Sequence, residues 1–303
     1  MSGIRVANAP CSYGAFEITV GILPDVPGPE RVLTAISSAG YEGTELGPPG
    51  YLGDRDNLRD RLEEHGLSLV GGYIQIRFSE PEHWEEDLAA MDGTLDLFTA
   101  GDGTEAKAVL ADGGSPERAH FPGRAASDPA IGLDASGWRR LSEGVARAAD
   151  LARARDFEPT FHHHTATFVE APWEIERVLE LTDVGLLLDT GHLALGGGDP
   201  TQALRDWGGR INHVHVKDVN NDVLAGVIAD RADMPEAWRR GVFCGLGTGD
   251  VDLDSFFAEL ARSQYAGWLV VEQDMVPQSP QDAADAEAAQ VRNRAWLREH
   301  PGL

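Results

Sequence analysis

Cysteine is almost missing from this chain of 303 residues: only Cys11 and Cys244 occur, and no Cys-x-x-Cys pair. That excludes a disulfide framework and a cysteine-built zinc finger. Basic residues are scarce as well, with 25 Lys plus Arg against 50 Asp plus Glu and a formal net charge of −25. A field of that sign repels polyanions before contact, so nucleic acid and anionic membrane surfaces are excluded as partners. No run of about 18 apolar residues is present, and no membrane-spanning helix is expected. The opening Met1-Ser2-Gly3-Ile4-Arg5-Val6-Ala7 lacks the basic and long apolar regions of a secretory leader. The chain reads as soluble and cytoplasmic.

What is present is a globular composition, 42% hydrophobic and 25% charged, long enough to bury a full α/β core. Short apolar runs at 4–9, 43–46, 67–74, 106–111, 159–163, 184–189, 211–216 and 268–272 read as strands. Most are apolar on both faces, as in a parallel sheet covered by helices. Amphipathic stretches lie between them at 30–39, 56–65, 82–98, 136–155, 172–181, 200–207, 254–263 and 281–298. Gly40 and Gly66 follow the first two and mark helix C-termini. Eight alternations over this length predict an α/β fold, a (β/α)8 TIM barrel forming a single domain over 1–303. A doubly wound sheet is the rival, but no Gly-x-Gly-x-x-Gly follows the first strand. The long connections 112–135 and 218–251 both follow strands, which places them on the C-terminal face where barrel active sites are built.

Polar residues gather at the ends of the last four strands. They are His162-His163-His164, then Asp189-Thr190-Gly191-His192, then His213-Val214-His215-Val216-Lys217-Asp218, then Glu272-Gln273-Asp274. A carboxylate ending an apolar strand is costly to bury unless a charge compensates it, and a divalent metal does so. Strand parity puts His162 and His164 on one face and His163 on the other. His213 and His215 also share a face, with His215 nearer the rim. The predicted metal ligands are therefore His162, Asp189, His215 and Glu272, one per successive strand. Taken singly, Asp189 equally suits a helix cap, and Glu272 a lysine partner. Tyr13 and Cys11, at the end of the first strand, are candidates for the pocket lining, with Tyr13 as a substrate contact. Gly245-Leu246-Gly247-Thr248-Gly249 has no Lys-Ser/Thr ending and no strand directly before it, so it reads as a tight turn and not as a phosphate loop.

The segments around Asp189-Thr190-Gly191-His192, His213–Asp218, Gly245–Asp252 and Val270-Val271-Glu272 resemble the xylose-isomerase-like superfamily of sugar isomerases and epimerases. The triple histidine, with Gly40-Tyr41-Glu42-Gly43-Thr44-Glu45-Leu46-Gly47, is most similar to its inosose dehydratase branch. The resemblance spans nearly the whole chain. It implies a TIM barrel, a homo-oligomer, and one divalent ion (Mn²⁺, Co²⁺ or Mg²⁺) held at the Asp189, His215 and Glu272 positions. Many relatives supply a glutamate from the fifth strand, where this chain offers His162.

That departure bears on the reaction. Ketose epimerases of the superfamily use a carboxylate on each side of the substrate carbon, and a symmetrical pair is missing here. The expectation is a lyase that removes water from a small polyol-derived ketone, or keto-sugar, by taking a proton α to the carbonyl. Glu272 or His164 would be the base, and His192 or Lys217 the acid or oxyanion partner. His192 and Lys217 would also touch substrate, and Glu45 would bind its hydroxyls. A salt bridge to Asp218 or Glu272 is the plain alternative for Lys217, and a helix-start acid the plain alternative for Glu45. The other readings are a ketose or sugar-phosphate isomerase or epimerase, a non-catalytic sugar-binding relative, and a barrel-type endonuclease, which the charge disfavours.

Overall fold

In the computed structural model, which describes residues 3–303, apolar strands and amphipathic helices alternate around a closed ring. The barrel strands are β1 (Ile4–Asn8), β2 (Gly43–Glu45), β3 (Ser68–Ile76) and β4 (Lys107–Asp112). They continue as β5 (Glu158–His162), β6 (Gly185–Asp189), β7 (Ile211–Val216) and β8 (Gly267–Val271). All pair in parallel with their sequence neighbours, and β8 returns to β1 with Ile4 opposite Gly267 and Asn8 opposite Val271. The expected (β/α)8 barrel is the fold found. The core lies between the strands' outer faces and the helices, with Ile36, Phe98, Leu141, Ile175 and Phe256 among its fully buried members.

The two glycine stops act as expected. Gly40 and Gly66 close the helices Pro29–Ala39 and Leu58–His65 in the left-handed conformation, at φ of +88° and +64°. Two further glycines matter for close approach. A Cβ at Gly71 would lie 3.0 Å from Glu45 Oε1, and one at Gly191 would lie 2.5 Å from Lys217 Cβ. The first lets the Glu45 side chain cross β3. The second lets the turn after β6 sit against β7.

Neither long connection is structureless. The segment after β4 contains the short helix Pro116–Ala119 and the turn Pro129–Ile131. That after β7 holds helices Asn221–Asp230 and Met234–Arg239. A two-stranded ribbon pairs Asp218–Val219 with Phe243–Cys244. Val219, Val227, Met234, Val242 and Phe243 form a small core of their own there. Asp218 pins the Gly245–Gly249 turn, its two oxygens accepting from the amides of Val219, Gly247, Gly249 and Val251. Among the described residues no helix is long and apolar enough to cross a membrane.

Candidate active site

Alternation along β7 turns His213 and His215 into the barrel, and both reach the same oxygen. Glu45 Oε1 lies 3.0 Å from His213 Nε2 and 2.9 Å from His215 Nε2. The register shift between Thr44 and Glu45 against β3 accompanies this inward reach. With Nε2 donating to Glu45, His215 presents Nδ1 to Glu272 Oε2 at 3.1 Å and to Asp189 Oδ2 at 3.7 Å. Glu45 is thus a partner of two imidazoles, neither a helix-start acid nor, in this arrangement, a free acceptor.

Asp189 divides its labour. Oδ1 caps the helix Thr190–Leu195 by accepting from the Gly191 and His192 amides, both at 2.9 Å. Oδ2 faces the ring and accepts from Lys217 Nζ at 2.9 Å. The same ammonium contacts Glu272 Oε2 and lies 3.6 Å from Asp274 Oδ1. Lys217 therefore pairs with three carboxylates of the site, while Asp218 points to the glycine turn.

The β5 side carries imidazoles alone. His162 offers a ring nitrogen within 4.8 Å of ligand atoms of both Asp189 and His215. His164 and His192 pack against each other with ring centroids 3.8 Å apart and planes tilted by 38°. The His164 Nδ1–H donates to the Thr165 carbonyl at 2.8 Å, and His192 Nδ1 lies 2.9 Å from the Thr165 hydroxyl. His192 Nε2 faces Asp274 Oδ2 at 3.8 Å. His163 points away from this group; its Nε2 accepts from the Asp189 amide at 3.2 Å.

Tyr13 is packed in the core, with its hydroxyl buried and without a hydrogen-bond partner among the described residues. Cys11 does reach the site, within 4.8 Å of Glu272 and Asp274. Two members went unassigned in the sequence: Asp274 and His213. Both stand two residues from an assigned ligand, so parity was the available signal.

Charge explains what the site wants. Glu45, Asp189, Glu272 and Asp274 are all buried, with Lys217 as the one lysine among them. Burial disfavours each ionised carboxylate, but Lys217 and the neighbouring histidines outweigh it at Asp189, which is held well below the usual range. His215 likewise outweighs burial at Glu45 and Glu272, and both are lowered. Asp274 goes the other way: burial, reinforced by Glu272 and Asp189, pushes it up to about 7 despite Lys217. His215 is held protonated, because Glu272 and Glu45 overcome its burial. Lys217 is likewise raised by Asp189, Asp274 and Glu272 against its burial. In contrast, burial first and neighbouring cations second keep His162, His164 and His192 neutral, with His164 down to about 4.

With His215 deprotonated to ligate and Asp274 still carrying its proton, the carboxylates of Glu45, Asp189 and Glu272 against the one ammonium of Lys217 leave about two negative charges, which a divalent cation balances. Among the described residues, the buried Nδ1 atoms of His162 and His215 have no hydrogen-bond partner. His162, Asp189 and His215 each bring one ligand atom within 4.8 Å of the other two, a mixed imidazole and carboxylate set that fits such an ion, while Glu272 stands outside that group with Oε2 3.1 Å from His215 Nδ1.

Comparison with known proteins adds the lineage. A family model described as xylose isomerase-like TIM barrel matches residues 33–300. The inosose dehydratase of Geobacillus kaustophilus (strain HTA426) is 34% identical over 284 residues, covering 90% of this chain and 88% of that one. Among solved structures, the IolI protein with a bound zinc atom superposes with a TM-score of 0.72 at 13% identity, covering 99% and 100% of the two chains. An L-ribulose 3-epimerase superposes at 0.67 and 17%, covering 98% and 94%.

Proposed function

The chain belongs to the xylose isomerase-like TIM barrel family, and from that premise we propose that it is a metal-dependent lyase that removes water from a small polyhydroxylated ketone. Inosose is the proposed substrate, supported by the 34%-identical relative named for that dehydration. We place the metal on His162, Asp189, His215 and Glu272, with manganese, cobalt or magnesium as the ion. Bound there, a divalent ion supplies Lewis acidity toward a carbonyl oxygen and the hydroxyl beside it.

The observation that carries the reading is the asymmetry of the site. Carboxylates enter from β2, β6 and the chain beyond β8, while β5 offers only imidazoles. A two-carboxylate proton exchange has nothing to use on the β5 side. An elimination can use that side, because its two proton transfers differ in kind.

His164 Nε2 keeps its lone pair free while Nδ1–H is bound to the Thr165 carbonyl. It takes the proton α to the carbonyl. The C–H electrons become the new C=C bond as hydroxide departs from the next carbon. Asp274, whose carboxyl keeps its proton up to about pH 7 and stands 3.8 Å from His192 Nε2, supplies through that pair the proton that makes the leaving group water. Lys217, held charged between Asp189 and Glu272, is a fixed positive neighbour for the developing enolate and not a base. Glu45 keeps His215 in orientation from behind. The reading carries with it a small polyol or keto-sugar partner, a cytoplasmic location and a homo-oligomer, which light scattering tests.

Mn²⁺-loaded protein incubated with 2-keto-myo-inositol in deuterated water tests the chemistry. The expected outcome is an enone, seen as new ultraviolet absorbance, and its loss in Glu272→Gln. Deuterium entering a ketose such as fructose or tagatose without water loss would replace the lyase by an epimerase or isomerase.

A further inference from the structure

The described site contains a second convergence of lone pairs that the reaction's metal does not explain. His162, His164 and His192 each bring one nitrogen to within 4.8 Å of the other two. Their ring centroids are separated by 5.3 Å (His162–His164), 5.4 Å (His162–His192) and 3.8 Å (His164–His192). This set contains no carboxylate. An ion held by imidazoles at about 2 Å keeps their nitrogens about 3.4 Å apart, so small ring rotations close the gap.

The outer contacts of the three rings suit ligation. His164 Nδ1–H is already spent on the Thr165 carbonyl, which aims Nε2 elsewhere. His192 Nδ1 accepts from the Thr165 amide at 3.3 Å and lies 2.9 Å from the Thr165 hydroxyl; ligation through Nε2 moves the ring proton to Nδ1, where that hydroxyl accepts it. Its Nε2 is buried without a hydrogen-bond partner, as is His162 Nδ1. Backbone and hydroxyl acceptors behind ligating imidazoles are the usual way such rings are oriented. One residue, Thr165, serves two of the three.

We propose that His162, His164 and His192 form a second metal site, selective for imidazole-preferring ions of the nickel and zinc class, distinct from the carboxylate site and sharing His162 with it. Ligand chemistry separates the two. Carboxylate-rich sets suit manganese and magnesium, whereas three neutral nitrogens favour the later first-row ions. An ion there occupies the His164 and His192 nitrogens that proton transfer requires, so the site is inhibitory. The binding claim stands whether or not the dehydratase reading does.

The test is nickel binding, read without turnover. In Asp189→Asn/Glu272→Gln protein, which lacks both carboxylates of the first site, calorimetric titration with Ni²⁺ is expected to show one ion per chain. Adding His164→Gln, at a half-buried ring, is expected to weaken that binding at least tenfold with the circular dichroism spectrum unchanged. The competing surface group is His83 with Glu80 and Glu82, and His83→Gln is expected to leave the titration as it was. Mn²⁺ binding to the otherwise wild-type chain is expected to survive His164→Gln. Absent Ni²⁺ binding in the double variant, indifference to His164→Gln, or loss with His83→Gln would each overturn the proposal. Failure of the inosose assay would leave all four results standing.

Discussion

Glu45 Oε1 sits 2.9 Å from His215 Nε2, joining residues 170 apart in sequence. The bond turns the other face of the imidazole, Nδ1, toward Asp189 and Glu272. A carboxylate behind a ligating histidine fixes the tautomer and raises ligand basicity. Glu45→Gln keeps the shape and removes the charge. It is expected to weaken Mn²⁺ binding by roughly 10–100-fold, measured by calorimetric titration. An unchanged affinity would contradict this role for Glu45.

Metal binding should also report the protonation of His215. Glu272 and Glu45 hold that ring charged above its ordinary range, and the ion needs the Nδ1 lone pair. Below the raised pKa every metal that binds must expel a proton, so affinity falls as pH falls. The expected outcome is a dissociation constant that rises as pH is lowered from about 8 to about 6. A dissociation constant flat across that window counts against His215 as a ligand.

Asp274 ties stability to the same charges. Its folded-state pKa is raised to about 7 by burial and by Glu272 and Asp189, whereas an unfolded aspartate titrates near 3.9. Between those values the folded state binds more protons than the unfolded one, so stability falls as pH rises through the window. The buried neutral histidines His162, His164 and His192 act in the opposite sense below about pH 6.5. The check is therefore the difference between two metal-free proteins: Asp274→Asn is expected to gain Tm relative to wild type as pH rises from about 5 to about 8. Equal pH dependence in the two proteins would remove Asp274 from the account.

Outside the ring, Arg118 of the segment after β4 forms a bidentate pair with Glu174 at 3.0 Å for both bonds, and both side chains are buried. Glu174 Oε2 also accepts from the Glu170 and Ala171 amides at 2.9 Å. Glu170 in turn accepts from the Ala125 and Ala166 amides. The long connection is thereby bolted to the turn that carries His164 and Thr165. Arg118→Met leaves a buried carboxylate without its cation and is expected to cost about 3–5 kcal/mol in chemical denaturation. A loss under about 1 kcal/mol would mean that water reaches Glu174.

The barrel was readable because most strands carry apolar runs buried on both faces, as in β6 and β8, a signal independent of what the strand contacts. Helices Asn221–Asp230 and Met234–Arg239 were not read. They bury little beyond Val227, Met234 and Ala237, so their apolar faces are narrow. Parity correctly turned His163 away from His162 and His164, since it depends on local backbone geometry alone. The pairing of Glu45 with His213 and His215 was not legible, because those histidines come from the opposite side of the ring. Strand spacing carries no information about such pairs. Tyr13 follows β1 within a 3-10 turn, Pro10–Tyr13, where two-residue alternation no longer applies.

The seam between β1 and β8 sets the order in which the molecule can come into being on the ribosome. Asn8 donates to the Val271 carbonyl at 2.8 Å across 263 residues, so the ring cannot close until nearly all the chain has been made. Glu272 and Asp274, just beyond that strand, are the last members of the site to be made. A nascent chain stalled before β8 would hold an open edge at β1 and another at β7, each lined with unpaired backbone groups. The site and its sheet are thus completed by one late event, the arrival of the final strand.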